Sequence, residues 1–183
     1  LYAPFGIRGF QAGSTGTQMF GWFRREIRSL EDLKGLKFRT PGNQGRVLQK
    51  LGVTPVSLPG GEIFPALQSG AIDGAEWVGP YNDLALGFYQ VCRYYYSPGY
   101  HEPGPALQLT VNEQAWRSLT PDLQAIVRAA ADSTTVDMYA EYNARSGPAL
   151  RTLVKDNGVI VRALPEDVLM ACGTKSSEVL NEI

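Results

Sequence analysis

The chain has 183 residues, 44% of them hydrophobic and 19% charged, a globular composition long enough for one domain or two small lobes with a core. Seventeen Lys and Arg stand against 18 Asp and Glu, for a net charge of −1, so no basic stripe recommends nucleic acid or an anionic membrane as partner. No apolar run approaches the roughly 20 residues of a membrane span, and Cys92 and Cys172 form no metal motif and read as two separately buried thiols.

Leu1–Gly6 has neither the basic start nor the apolar centre of a secretion signal, and the chain begins without Met, so it reads as internally cut. Ile7–Gly13 and Gln18–Phe23 are short, aromatic-rich and interrupted by glycine, as strands are. The small polar loop between them, Ser14-Thr15-Gly16-Thr17, is of a kind that brings backbone close to a ligand. Gln18 ends that loop and, on spacing alone, reads as solvated. Ser29 caps a helical turn with Asp32 at its third position. Leu36–Thr40 then alternates apolar and polar residues until Pro41-Gly42-Asn43 stops it. Arg39 therefore lies near a strand's end, where it either faces solvent or offers its planar fork to a carboxylate.

Gln44–Leu51 is a predicted helix, Val53–Leu58 a strand and Gly61–Gly70 a helix with Ile63, Phe64 and Leu67 on one face. Gly70–Asp83, GAIDGAEWVGPYND, follows as a short buried strand, an abrupt turn and a new helix. Glu76 and Trp77 fall at that strand's carboxyl end, the position where open α/β sheets hold ligands, though such a pair also suits a surface acid beside a core aromatic. The order β-α-β-α-β argues for a mainly parallel sheet.

Beyond Tyr81–Phe88, Tyr89–Tyr96 is strand-like, and Ser97–Pro105, rich in Pro and Gly, is irregular. It carries His101 and Glu102. A catalytic His101 needs a nucleophile or second acid marked by its context, and none is marked. Ala106–Val111 is a strand, Asn112–Leu119 a short helix, and Thr120-Pro121-Asp122 opens the longest helix. Its apolar face runs through Leu123, Ile126, Val127, Ala130, Val136, Met138, Tyr139 and Tyr142, and Gly147-Pro148 is expected to kink or break it. Val159–Ala163 is a last strand and Pro165–Ile183 a last helix. There is no repeat, P-loop, GxGxxG or zinc spacing.

Three runs, LEDLKGLKFRTPGN (30–43), PGGEIFPALQSGAIDGAEWVGPYND (59–83) and YYYSPGYHEPG (94–104), resemble the solute-binding receptors of tripartite ATP-independent periplasmic (TRAP) transporters. They are most similar to the branch that binds 2-oxo acids. The resemblance implies a two-lobed α/β fold of the periplasmic-binding-protein type II, with its amino-terminal half-lobe missing. It assigns residues 1–74 and 113–183 to the second lobe with its connecting helix, and 75–112 to part of the first. It implies that Arg39 clamps the substrate carboxylate, with Gln18, Trp77 and Asn43 as further substrate contacts. It also implies a metal ion, sodium before calcium, held by Gln18, Glu76, the Trp77 carbonyl and Glu102. Periplasmic location, TRAP membrane subunits as partners and a homodimer come from the same resemblance.

The chemistry is consistent with this. An Arg takes a carboxylate through two parallel hydrogen bonds, and a hard cation takes the neighbouring keto or hydroxyl oxygen. Two glutamates alone repel an anion, whereas a cation between them and the substrate reverses the local sign. All-oxygen ligands suit sodium or calcium and disfavour zinc or copper. The alternatives are a hydrolase using Glu76 and Glu102 as an acid/base pair, and a receptor of the same fold serving another organic anion or a sensor protein.

Overall fold

The computed structural model describes residues 2–183. In chain order its strands are β1 (Ile7–Gln11), β2 (Gly21–Phe23), β3 (Lys37–Arg39), β4 (Thr54–Val56), β5 (Gly74–Ala75), β6 (Tyr94–Ser97), β7 (Gln108–Asn112) and β8 (Ile160–Ala163). The helices are α1 (Gly42–Gln49), α2 (Gly60–Ser69), α3 (Pro80–Leu86), α4 (Glu113–Ser118), α5 (Pro121–Lys155) and α6 (Glu166–Asn181). Two compact units result: one runs to Thr17 and resumes over Gly104–Arg145, and the other comprises Gln18–Pro103 with Ser146–Ile183.

The first unit is a two-stranded antiparallel ribbon, β1 on β7, backed by helix. Trp116 of α4 packs on Phe10 with ring centroids 4.8 Å apart. Arg8 donates from Nε and Nη2 to the two Glu113 oxygens at 3.0 Å each, the two-pronged geometry a guanidinium favours. The expected apolar face of α5 is not covered within this chain: Leu123, Ile126, Val136 and Tyr139 are all exposed.

The second unit holds a six-stranded sheet in the order β4-β3-β5-β2-β6-β8. β3 runs parallel to β4 and β5, and β6 parallel to β8. β2 lies antiparallel to both β5 and β6, so the sheet is mainly parallel with one reversed strand at its middle. Side chains alternate across it, as a pleat of period two requires. Phe23, Phe38 and Tyr96 join the core beneath α1 and α6. Trp22, Ala75 and Tyr95 join a second core with Ile63 and Leu67 of α2 and Leu153 of α5. Helices therefore cover both faces.

One expectation is corrected. Gly147-Pro148 does not break α5, which runs unbroken over 35 residues. Proline forfeits one backbone bond, and burial of Ala149 and Leu153, one and five residues on, offsets that loss. Residues 75–103 fall in the same compact unit as 18–74, and the division comes at Thr17, Gly104 and Arg145. The ladder explains this. β5 is bonded to β2 and β3, and β6 to β2 and β8, so the segment between them cannot leave the sheet.

Behind the strand ends sits Asp83, fully buried in α3. One carboxylate oxygen accepts from Trp22 Nε1 at 2.8 Å and Tyr95 Oη at 2.7 Å. The other accepts from the backbone N–H of Val78 at 3.3 Å and of Gly79 at 3.2 Å. Burial pushes this carboxyl up to about 6, against the pull of its four donors. An unfolded aspartate near 3.8 loses its proton first as pH rises. Asp83's contribution to stability is therefore full below about pH 4 and falls through pH 6, by about 3 kcal/mol in all. Asp83→Asn is expected to remove that slope, and to destabilise the protein at pH 4 by about 1–3 kcal/mol because an amide has one acceptor oxygen, so its NH2 faces one of the two pairs of donors. Urea unfolding of parent and variant from pH 4 to pH 7 measures both, and parallel curves would contradict the assignment.

Candidate functional site

The site is built where β3 and β5 end side by side. Their parallel pairing continues one residue past β5, with the Glu76 N–H donating to the Arg39 carbonyl at 3.0 Å. This draws the Arg39 side chain toward the turn that follows. Nη1 donates to Glu76 Oε1 at 2.7 Å and to the Glu76 carbonyl at 2.8 Å, and Nε donates to the Leu58 carbonyl at 3.1 Å. The guanidinium carbon lies 5.1 Å from the centre of the Trp77 ring, a cation–π distance. Arg39 and Glu76 are 7% and 3% exposed, so the Arg39 alternative of a solvent-facing residue is excluded.

Gln18 and Glu102 arrive from the opposite side. The Met19 N–H donates to the Val78 carbonyl at 3.1 Å, which sets the Gln18 strand beside the acid–indole turn. The Gly99 N–H donates to the Gln18 carbonyl at 3.0 Å, and the Glu102 N–H to the Gly99 carbonyl at 3.1 Å. A Cβ on Gly99 would stand 2.6 Å from the Gln18 carbonyl oxygen, so only glycine permits this approach. The Gln18 side chain is buried and hydrogen-bonded to Glu102. Gly60, at the start of α2, does the same for Trp77, whose ring tip would lie 2.6 Å from an added Cβ.

The charges are unbalanced. Glu76 and Glu102 line one cavity of about 220 Å3 with Pro41, Gly42, Asn43, Gln44 and His101. Burial pushes the Glu102 carboxyl above its ordinary range, and the Glu76 charge adds to this. Burial also pulls the Arg39 guanidinium below its usual value, against the attraction of Glu76 and Glu102. One cation thus faces two carboxylates. Among the described residues no three His, Cys, Asp or Glu side chains form a metal cluster. A metal here would rest on two carboxylates completed by amide and carbonyl oxygens, those of Gln18 and Trp77. That donor set is all oxygen and carries a surplus negative charge, which fits a hard cation.

The structure therefore brings Gln18, Arg39, Glu76, Trp77 and Glu102 into one region. Asn43 is exposed on the first turn of α1 and lines the same cavity. Three residues that sequence reasoning passed over belong to the region as well. Asp83 holds the turn after Glu76. Gln44 is fixed by Thr40, whose hydroxyl donates to its Oε1 at 2.7 Å. His101 places Nε2 3.8 Å from Glu76 Oε2, with a side chain only 7% exposed. The four-residue spacing of Thr40 and Gln44 across a helix start was a visible signal, whereas the burial of His101 was not.

A family model described as bacterial extracellular solute-binding protein, family 7, matches residues 3–183. The chain belongs to that family. Family 7 members are solute-binding receptors and not enzymes. The chain is 44% identical, over its whole length and 50% of the relative's, to a monocarboxylate 2-oxoacid-binding periplasmic protein of Nostoc sp.. It superposes with a TM-score of 0.93, at 47% identity over 99% of this chain and 55% of the other, on a TRAP periplasmic solute-binding protein from Colwellia psychrerythraea with bound calcium and pyruvate. A TRAP periplasmic solute-binding protein from Pseudoalteromonas atlantica, with bound sodium and pyruvate, gives a TM-score of 0.91 at 43% identity, again over 99% of this chain and 55% of the other. The chain spans about half the length of these relatives.

Removing one partner of the buried Arg39–Glu76 pair should be costly, because the other charge stays out of water. Glu76→Gln is expected to destabilise by about 3–5 kcal/mol. The double variant with Arg39→Met should cost less than the sum of the single changes. Chemical denaturation of the four proteins measures the coupling, and additive effects would mean that the pair is not a unit.

Proposed function

We propose that the protein is the extracytoplasmic receptor of a TRAP transporter and binds a small 2-oxo or 2-hydroxy monocarboxylate, pyruvate- or lactate-like, with a sodium or calcium ion. The observation that carries this reading is the excess of acid, the buried Glu76 and the half-buried Glu102 against one guanidinium beside a small cavity. An anion does not enter such a place unless a cation enters with it. Pyruvate accompanied by calcium or sodium in the relatives supports the same reading.

Gln18, Glu76, the Trp77 carbonyl and Glu102 are the residues we assign to the ion, with sodium as first choice. The bound cation supplies positive charge and open coordination positions for oxygens of the acid. Arg39 supplies the second contact. Its Nε and Nη1 are engaged by Leu58 and Glu76, which leaves Nη2 to meet the acid's carboxylate. Trp77 holds the guanidinium plane from one side and keeps water off it, and the low local dielectric strengthens both contacts. The membrane subunits of the transporter are the partners that receive the loaded receptor.

Ion and acid should bind cooperatively, each raising the other's affinity by the same factor. Calorimetric titration of the complete receptor in chelated, sodium-free buffer is expected to show pyruvate affinity reduced by about tenfold or more, restored by adding sodium or calcium. Undiminished affinity without metal would overturn the ion's role. Arg39→Lys replaces a fork by a point charge and should weaken pyruvate by about 1.5–3 kcal/mol. Binding within about twofold of the parent would place the clamp elsewhere.

A further inference from the structure

The cavity beside Glu76 and Glu102 contains more donors than the fold uses. α1 starts at Gly42 behind Pro41, and no side chain caps it. The first N–H groups of a helix have no acceptor within the helix, and they carry its positive end. Gln44, in that first turn, is 8% exposed, and its amide is oriented because Oε1 accepts from the Thr40 hydroxyl at 2.7 Å. Its Nε2 is buried without a hydrogen-bond partner among the described residues. Both ring nitrogens of His101 are buried and unpartnered too, the nearer Glu76 oxygen being 3.8 Å away. Gln44 and His101 line this cavity of about 220 Å3 and a neighbouring one of about 340 Å3. A buried donor left unmade costs about 1–3 kcal/mol, so several in one place point to a ligand oxygen that answers them.

We propose that the start of α1, together with Gln44 and His101, is an oxyanion subsite that holds one carboxylate oxygen of the bound acid. This rests on the functional reading above and adds what Arg39 lacks. A carboxylate presents two oxygens, but Arg39 has only Nη2 left for them, because Nε and Nη1 serve Leu58 and Glu76. The Gln44 amide, a ring N–H of His101 and the first backbone N–H groups of α1 supply the donors for the second oxygen. The subsite recognises a carboxylate and contributes nothing to an alcohol or an aldehyde of the same size.

The test is calorimetric titration of pyruvate into the complete receptor saturated with sodium or calcium, with thermal unfolding measured on each variant. Gln44→Glu keeps the acceptor for Thr40 and replaces the donor by a negative charge, whereas Gln44→Leu removes both. Each is expected to weaken pyruvate by about tenfold or more, with Gln44→Glu the stronger effect on binding and the one that lowers the unfolding temperature more, because its charge is buried. His101→Phe retains the ring contacts with Phe20 and Tyr100 and carries the same test if both Gln44 variants unfold. Variants that bind pyruvate within about twofold of the parent would mean that water answers these donors, and would overturn the subsite while leaving the receptor reading intact. A parent that binds no 2-oxo acid would overturn the receptor reading itself.

Discussion

The Arg39–Glu76 pair is the interaction on which the site depends. Removing two charges from water is expensive, and mutual attraction repays it only when the remaining hydrogen-bonding groups are also satisfied. Here the carbonyls of Leu58 and Glu76 take two further guanidinium hydrogens, and only Nη2 is left over. The pair locks the ends of β3 and β5 together across two residues that also exchange a backbone hydrogen bond. With that joint made, Trp77 has one place to go, over the guanidinium and against Gly60.

The joint consumes the positive charge that it brings. Arg39 is neutralised by Glu76, so Glu102 remains as the surplus charge, and burial holds its carboxyl above the usual range. A region of this kind repels an organic anion and attracts a cation. On the reading proposed above, the same residues serve an anion once a cation has joined them. The proposed acid binding therefore needs no cluster of basic residues, in keeping with the near-neutral charge of this chain.

Support for the site comes from backbone placed by packing. Asp83 gathers donors from β2, from β6 and from the turn after Trp77, tying the turn to the sheet beneath it. The strands that supply these partners alternate their side chains between two cores, so a shift of register by one residue would move Trp22 and Tyr95 away from Asp83. The same alternation ties residues 75–103 to the sheet and puts the division between units at Thr17, Gly104 and Arg145.

Local chemistry determined much of the chain before any folding. Capping at Ser29, the proline–glycine stop after Arg39, the glycines around Glu76 and the periodicity of α2 and α6 each act over a few residues, and the corresponding elements are present. The family motifs likewise marked Gln18, Arg39, Glu76, Trp77 and Glu102, because their identities and spacing lie in the sequence. Burial and pairing were decided only in three dimensions. Nothing near Arg39 announces that its fork is already engaged by residues 19 and 37 positions later, or that Asp83 serves Trp22, 61 positions earlier. The reversed β2 could not be read either, since strand direction is set by which neighbours a strand pairs with and not by its own residues. Pro148 failed to stop α5 for a related reason. A helix buried just past its proline, as α5 is at Ala149 and Leu153, can carry one missing hydrogen bond, and packing is a property of the tertiary structure alone.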